Sequence, residues 1–338
     1  MTLPAPKVSF VVAAYNAADT IRRAIESALA QENVDLEVIV VDDCSTDDTC
    51  AVVEEIDDPR VRLLRLAKNR GPGGARNAGL EAARGDWVAI LDADDTMSPR
   101  RLSRMIELAS SASAEIAVDN IDVANLDGRI ERMFPEALLE HHRMLTLAAF
   151  IQSNVLFRST YNFGYMKPIF ERRFLEKHLL RFEETIRIGE DYILLASALA
   201  HGGRCIVDPS AGYCYHIREG SISRVLERCH IEAMIAADRV FLANHSIDPE
   251  AMTMQRRRDR SLREAHAFVR LVDHLKSRSL VGATLVALSN PRALRHLRMP
   301  IAVRLRRLLT PSARLKSATS TVAAERSTSG NSPHARKG

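Results

Sequence analysis

The first 110 residues of this chain alternate short apolar runs with amphipathic helical patterns. The runs KVSFVVAAY, LEVIVVDD, VRLLRL and DWVAILDA have the length and composition of strands. Between the first two, AADTIRRAIESALAQ places Ile21, Ala24, Ile25, Ala28 and Leu29 on one helical face. Strands that alternate with helices form a parallel sheet covered on both faces. The pattern therefore predicts an α/β fold.

Polar or small residues follow three of the four predicted strands, at the point where each strand ends. These groups are Ala13–Asn16, Asp42–Asp43 and Asp92–Asp95. Ligands of parallel α/β sheets bind beyond the carboxyl ends of the strands. We therefore expect the three groups to border one binding site.

The strongest of these signals is the acidic end of WVAILDADDTMSP, residues 87–99. Asp92, Asp94 and Asp95 repel one another, and no basic residue of this stretch neutralises them. Mg²⁺ or Mn²⁺ typically binds one or two carboxylates together with the phosphate oxygens of a substrate. The alternative is an acidic N-terminal cap, because Asp95 and Thr96 precede the helix predicted to begin at Pro99.

Two further stretches carry candidate site residues. KNRGPGGARNAGL, residues 68–80, reads as a glycine-rich loop before a helix, and its Arg76 could pair with phosphate or with a carboxylate. It lacks the GK[ST] of a Walker A loop and is not GxGxxG. RIGEDYILLASAL, residues 187–199, puts Glu190 and Asp191 at the start of an apolar helix, where they are either ordinary caps or include a general base.

Three local predictions concern the connections. Ser45 or Thr46 is expected to cap the helix of STDDTCAVVEEI. EIAVDNIDVANLDGRIERMF reads as a hairpin turning at LDG, and GRCIVDPSAGYCYHI as two short strands. In the following YCYHIREGSISR, His216 is either a metal or phosphate contact or a structural histidine.

The motifs together are more specific than any one of them. PKVSFVVAAYNAADTI, VVDDCSTDDT, NRGPGGARNAGL, ILDADD and GED stand in the order and spacing of family 2 glycosyltransferases. The chain resembles the inverting, GT-A type of that family over about residues 6 to 224. YCYHIREGSIS is similar to the corresponding stretch of bacterial exopolysaccharide transferases, including those of succinoglycan biosynthesis. The resemblance implies a Rossmann-like, mostly parallel sheet with helices on both faces.

The resemblance also implies residues that bind a nucleotide-sugar donor, usually a UDP-hexose. Ala13 and Tyr15 would line the base pocket, and Asp43 would accept a hydrogen bond from uracil N3–H. Arg76 would steady the phosphates or the acidic motif, and Asp92 would face the ribose.

The implied chemistry is a metal-assisted single displacement. Asp94 would bind Mn²⁺ or Mg²⁺ at the diphosphate, with Asp95 and His216 as further candidate ligands. Asp191 would be the general base for an acceptor hydroxyl on a saccharide or lipid-linked saccharide. Two departures from the family pattern are Cys44 at a common glycine position and His216 at a common arginine position.

Two other functions remain open at this level. LDADDT fits the DxDx[TV] nucleophile motif of haloacid-dehalogenase-like phosphatases, although that motif belongs on the first strand and here lies on the fourth. A non-catalytic polysaccharide-assembly protein on the same fold is the other alternative, against which Asp94 and Asp191 argue.

The charge of the chain divides near residue 255. Residues 1–255 carry 28 Lys and Arg against 39 Asp and Glu, a net charge of −11, whereas residues 256–316 carry a net +13. The stretches SLVGATLVALS and MPIAVRLRRLL are apolar within this basic segment. A basic amphipathic helix suits an anionic membrane surface, although packing on the acidic catalytic domain is the alternative. Nucleic-acid binding is not expected, because interleaved aromatic residues are lacking beyond Phe268.

The sequence thus predicts three regions and a cellular location. A catalytic domain spans residues 1–224, a basic helical region 225–315, and a disordered tail 316–338. There is no apolar run near the roughly 18 residues that a membrane span needs. The five cysteines form no CxxC pair, which favours free thiols in a reducing cytoplasm. We expect a cytoplasmic enzyme, peripheral on the inner face of the cytoplasmic membrane.

Overall fold

A computed structural model describes residues 7–218 and 227–297. Over these residues, strands run in the order β3-β2-β1-β4-β8-β6-β9-β5 across one sheet, and β7 pairs with β6. The strands are β1 (Val8–Ala14), β2 (Leu36–Asp42), β3 (Val61–Arg65), β4 (Trp87–Ile90), β5 (Thr96–Met97), β6 (Ile116–Ala124), β7 (Ile130–Arg132), β8 (Ile169–Glu171) and β9 (Cys205–His216).

The helices of the first 218 residues cover this sheet or connect its strands. They are α1 (Ile21–Leu29), α2 (Thr49–Glu54), α3 (Gly71–Ala82), α4 (Arg101–Ala112), α5 (Glu136–His141), α6 (Leu147–Ser153), α7 (Arg172–Lys177) and α8 (Glu190–Ala200), with a single 3₁₀ turn at Phe163–Tyr165.

The parallel half of the sheet follows from its apolar runs. Strands β1 to β4 pair in parallel in the order β3-β2-β1-β4, and all seven residues of β2 are buried. A strand buried on both faces must be apolar throughout, which is why LEVIVVD has no polar alternation. Helix α1 buries Ile21, Ala24, Ile25 and Ala28, as its periodicity predicts. The α/β prediction is confirmed.

The second half of the sheet is mixed and departs from two predictions. β6 and β7 form the predicted hairpin. β9, however, is a single strand of 12 residues whose register against β6 shifts around Asn120, so the prediction of two short strands was wrong. Such an irregularity bends a strand without ending it. Helix α2 begins at Thr49, and neither Ser45 nor Thr46 is its N-cap residue.

The glycine-rich stretch is also different from its prediction. Gly71, Gly73 and Gly74 form the first turn of α3 and are not a loop before it. A Cβ atom on Gly73 would lie 2.7 Å from the carbonyl oxygen of Glu183. The glycine therefore lets α3 approach the backbone of the segment that leads to α8.

The described part of the C-terminal region is helical, as predicted. It contains α9 (Arg228–Asn244), α10 (Pro249–Lys276) and α11 (Leu280–Ser289), followed by a 3₁₀ turn at Pro291–Leu297. The predicted boundary at residue 224, the MPIAVRLRRLL segment and the tail from residue 316 lie outside the described residues.

Helix α10 packs on the catalytic part of the chain. The Arg258 guanidinium donates to the Asn154 carbonyl at 3.0 Å, and the Leu156 N–H donates to Ser261 Oγ at 3.2 Å. The first half of the basic segment therefore serves the fold, which was the alternative to membrane docking. Among the described residues, no helix is both long enough and apolar enough to cross a membrane. All five cysteines are free thiols.

Candidate functional site

A cleft of about 680 Å³ lies at the carboxyl ends of β1 and β4. Its lining includes residues that follow these two strands, the start of α8, and side chains of α3, α9 and α10. Those used below are Ala13, Tyr15, Arg76, Asp92, Asp94, Tyr165, Lys167, Glu190, Asp191, Tyr192, Tyr215, Arg218, Met234 and Arg258. The structure thus brings together side chains from both predicted regions.

The floor of the cleft is a network of buried ion pairs around Arg76. Its guanidinium nitrogens lie 2.7 Å from Asp92 Oδ1, 2.5 Å from Glu190 Oε1 and 3.1 Å from Asp191 Oδ1. Lys167 Nζ bridges the same acidic groups, at 2.8 Å from Asp92 Oδ2 and 2.9 Å from Asp191 Oδ2. Two cations therefore hold the end of β4 against the start of α8.

These contacts shift the pKa values of the paired groups. Burial alone would lower the pKa of Arg76 and of Lys167, but the charges of Asp191 and Asp92 outweigh it and hold both pKa values above the ordinary range. Burial likewise opposes ionisation of Asp92, yet Lys167 and Arg76 hold its pKa well below the usual value. Burial and the charge of Asp191 raise the pKa of Glu190.

Lys167 was missed by the sequence analysis. It lies in GYMKPIF, two residues before the short strand β8, and shares no cluster with the acidic motif. The sequence analysis sought counter-charges only within residues 87–99, whereas Arg76 and Lys167 reach Asp92 from far along the chain. Only the contact of Arg76 with the acidic motif was anticipated.

Asp94 is the carboxylate that faces the cleft without a counter-ion of this kind. Its backbone carbonyl accepts a hydrogen bond from Arg23 at 2.9 Å, while none of the described side chains makes a hydrogen bond to its carboxylate. Burial, then the charge of Asp92, raises its pKa. A divalent cation would reverse both effects. Asp94 therefore fits Mg²⁺ or Mn²⁺, with substrate and water oxygens completing the coordination.

Asp95 and His216 need correction as candidate metal ligands. Asp95 is fully buried, and its oxygens accept hydrogen bonds from the Tyr213 hydroxyl at 2.7 Å and the His216 N–H at 2.9 Å. His216 Nε2 lies 3.0 Å from Thr96 Oγ1. Neither residue lines the cleft. Both therefore tie β5 and β9 to the end of β4.

Asp43 lies behind the cleft wall. It is 3% exposed, and its two oxygens accept hydrogen bonds from the backbone N–H groups of Arg70 and Gly71, at 2.6 and 2.8 Å. Burial raises its pKa, and these two hydrogen bonds oppose that effect. In this structure Asp43 holds the N-terminus of α3, and its contact with the base stays a prediction.

Ala13 and Tyr15 lie on the opposite wall from this network of predictions only in sequence, since both follow β1 and line the same cleft. Tyr15 is 52% exposed. An exposed aromatic ring at the mouth of a cleft is available for stacking on a planar ligand.

A second buried network, also unforeseen, supports the start of α8. Arg258 Nε donates to Asp238 at 2.9 Å, and its guanidinium lies 3.7 Å from the centre of the Tyr192 ring. Tyr192 follows Asp191 and donates to Gln255 at 3.3 Å. Arg258 belongs to the run QRRRDR, which in sequence reads as a solvated basic face. Helices α9 and α10 thus help to fix the position of Asp191.

Comparisons with known proteins agree on one family. The family model of glycosyl transferase family 2 matches residues 9–174. The chain is 66% identical to the succinoglycan biosynthesis protein ExoO of Rhizobium meliloti (strain 1021), over 98% of this chain and 97% of that protein.

Two solved structures share the fold at 20% identity. S. aureus TarS 1–349 in complex with UDP-GlcNAc gives a TM-score of 0.59 over 84% of this chain and 91% of that one. The mannosyltransferase PcManGT of Pyrobaculum calidifontis, in complex with GDP-Man and Mn²⁺, gives 0.56 over 86% and 81%. The likeness confirms the predicted GT-A architecture.

Proposed function

The chain belongs to glycosyl transferase family 2, and from that premise we propose that it transfers a hexose from a UDP-linked donor to a saccharide or lipid-linked saccharide, with inversion, in the synthesis of succinoglycan or a similar exopolysaccharide. The observation that carries the proposal is the cleft itself, where Asp94 and Asp191 face one cavity from elements distant in sequence. A metal-binding carboxylate and a base are what a single displacement from a sugar diphosphate needs.

Three groups of residues would act on the donor. Ala13 and Tyr15 would receive the nucleoside, Asp92 would face the ribose, and Arg76 would hold Asp92 in place. Asp94 would hold Mn²⁺ or Mg²⁺, which when bound neutralises charge on the leaving diphosphate. UDP is proposed from the motif resemblance alone, because the two structural neighbours carry different nucleotides.

Asp191 would act as the general base. The acceptor oxygen forms a bond to the anomeric carbon, the bond from that carbon to the diphosphate breaks, and the hydroxyl proton goes to Asp191. Lys167 and Arg76 each bond one carboxylate oxygen of Asp191, which fixes its orientation and leaves the remaining lone pairs to the acceptor. One displacement inverts the configuration, so an α-linked donor gives a β-glycoside.

The place of action is part of the same proposal. An acceptor carried by a lipid would require the enzyme at the cytoplasmic face of the membrane, with peripheral association. The two alternative functions are not favoured. The DxDx[TV]-like motif follows the fourth strand, and the chain is similar to glycosyltransferases over its length.

The test is hydrolysis and transfer of nucleotide sugars with Mn²⁺ and with excess chelator. We expect turnover of a UDP-hexose that requires metal, and Asp94→Asn should lower it roughly 10²-fold or more. Asp86→Asn is the matched control, because Asp86 is exposed just before the other end of β4. Full activity in chelator would refute the role of Asp94, and no turnover of any nucleotide sugar would refute the transferase.

A further inference from the structure

Helix α11 presents an apolar face that no described residue covers. Leu280, Val281, Leu285 and Leu288 are 73%, 75%, 63% and 75% exposed. Their spacing places them on one side of the helix. The other side packs on α10, where Ala283 and Val286 join a small core with Ala267 and Leu271. Four large aliphatic side chains on one short helix form a contiguous patch that a soluble surface seldom carries.

A basic groove adjoins the end of this face. It has a volume of about 430 Å³ and is lined by Arg239, Arg263, His266 and Arg270, with Asn290 directly after α11. Glu232 also lines the groove and lies 2.8 Å from His266 Nε2. Arg239 and Arg270 form no ion pair with any residue that the structure describes. The groove therefore offers two uncommitted guanidinium groups to an anionic ligand.

The sequence around α11 carries the same charge. From residue 274 to residue 297 there is no Asp or Glu. Lys276 and Arg278 precede α11, Arg292 and Arg295 follow it, and all four are exposed. Basic residues at both ends of an apolar face are the pattern of a helix that lies in the plane of a membrane interface.

Charge decides between the possible occupants of this face. A second copy of the chain would bring the same basic surface against itself. Residues 298–316 of the same chain also contain Arg and Lys and no acidic residue. An anionic bilayer complements both the aliphatic side chains and the guanidinium groups.

We infer that the apolar face of α11 and the adjoining basic groove form a docking surface for a bilayer that contains anionic lipid. The aliphatic side chains enter the boundary between headgroups and acyl chains, and Arg239 and Arg270 meet headgroup phosphates. This inference deepens the proposed peripheral location and names its surface. It places the contact on α11 and not on MPIAVRLRRLL, where the sequence suggested it.

The test is flotation of the full-length protein with vesicles of phosphatidylcholine alone or with phosphatidylglycerol, at low and high salt. We expect binding to the anionic vesicles that weakens in high salt. The variant Val281→Gln/Leu285→Gln/Leu288→Gln should bind about 30-fold more weakly or less. Its control is Leu126→Gln/Leu179→Gln, which removes two exposed leucines elsewhere.

The groove has its own pair of variants. Arg239→Gln/Arg270→Gln should weaken binding to anionic vesicles about 25-fold at low salt, since each basic group near the surface contributes about fivefold. Arg173→Gln/Lys177→Gln removes two exposed basic residues of α7 and should change binding much less. Melting temperatures of all four variants verify that each is folded.

Three results would overturn the inference. They are unchanged vesicle binding by the α11 variant, equal binding to neutral vesicles, and a wild-type oligomer in ultracentrifugation that the α11 variant dissociates. The last would assign the face to a second copy. Donor turnover by the same proteins is a separate readout, so failure of the proposed transferase and failure of the docking surface are distinguishable.

Discussion

Replacing Lys167 with methionine would remove one of the two cations that face Asp92 and Asp191. The Lys167 side chain is 10% exposed, and its ammonium group lies within 2.9 Å of both carboxylates. Methionine nearly preserves the volume of the side chain and supplies no hydrogen bond. The variant therefore leaves two partly buried oxygens without their partner.

The expected loss of stability follows from the burial of these groups. Removing one partner of a buried ion pair typically costs about 3–5 kcal/mol. Here Asp92 and Asp191 keep 23% and 21% side-chain exposure, and Arg76 stays beside both. We therefore expect a fall of about 2–4 kcal/mol in the free energy of unfolding. For a chain of this length that lowers the melting temperature by about 3–6 °C.

The effect should depend on pH. Lys167 and Arg76 hold the pKa of Asp92 below its ordinary value, so this carboxylate stabilises the fold above the unfolded pKa of about 4 and loses that contribution as the pH falls. In the variant the pKa of Asp92 rises, and protonation relieves its burial. The difference between wild type and variant should thus shrink from pH 7 toward pH 4. The pKa of Lys167 is raised, so this residue stays charged throughout that window.

The assay is thermal unfolding at several pH values, with Lys177→Met as the control. Lys177 is an exposed lysine of α7, and its replacement should change stability by less than about 0.5 kcal/mol. A loss for Lys167→Met that matches the control, or one that does not change with pH, would refute the reasoning.

Two further variants separate the acidic residues of the site by role. Asp191→Asn should lower the rate of transfer roughly 10²–10⁴-fold while donor protection against thermal unfolding stays within a few-fold; Glu190→Gln should lower the rate less than about tenfold, and the reverse order would make Glu190 the base. Asp95→Asn should cost about 1–3 kcal/mol in urea unfolding, because it disrupts the buried hydrogen bonds to Tyr213 and His216. Its metal requirement should be unchanged, and an altered one would restore Asp95 as a ligand.

The sequence predicts the parallel half of the sheet well, because each buried strand there is a continuous apolar run. It also predicts that Arg76, Asp92, Asp94 and Asp191 share a site, since the carboxyl ends of parallel strands meet at one edge. Lys167 escapes such reasoning because its partners lie 75 residues before it and 24 residues after it in the chain. Pairings of this length leave no local pattern.

Other residues were misjudged because one pattern serves two purposes. Asp95 and Asp94 are adjacent acids, yet only the cleft-facing one is free of structural bonds. The glycines of α3 look like a phosphate loop, whereas Gly73 is required by a backbone approach across the fold. Arg258 looks like a surface residue until α10 is packed on α6. In each case tertiary packing decides what local sequence leaves open.

Helix α10 joins two places that the chain would otherwise hold apart. Its Arg258 lines the cleft, and 13 residues later Leu271 lies under α11, which is about 20 Å along one continuous helix. A stiff rod of fixed length is a ruler. With α11 on a bilayer, it would set the height at which Asp191 works above the lipid, and therefore which sugar, counted from the anchor, is within reach of the next addition.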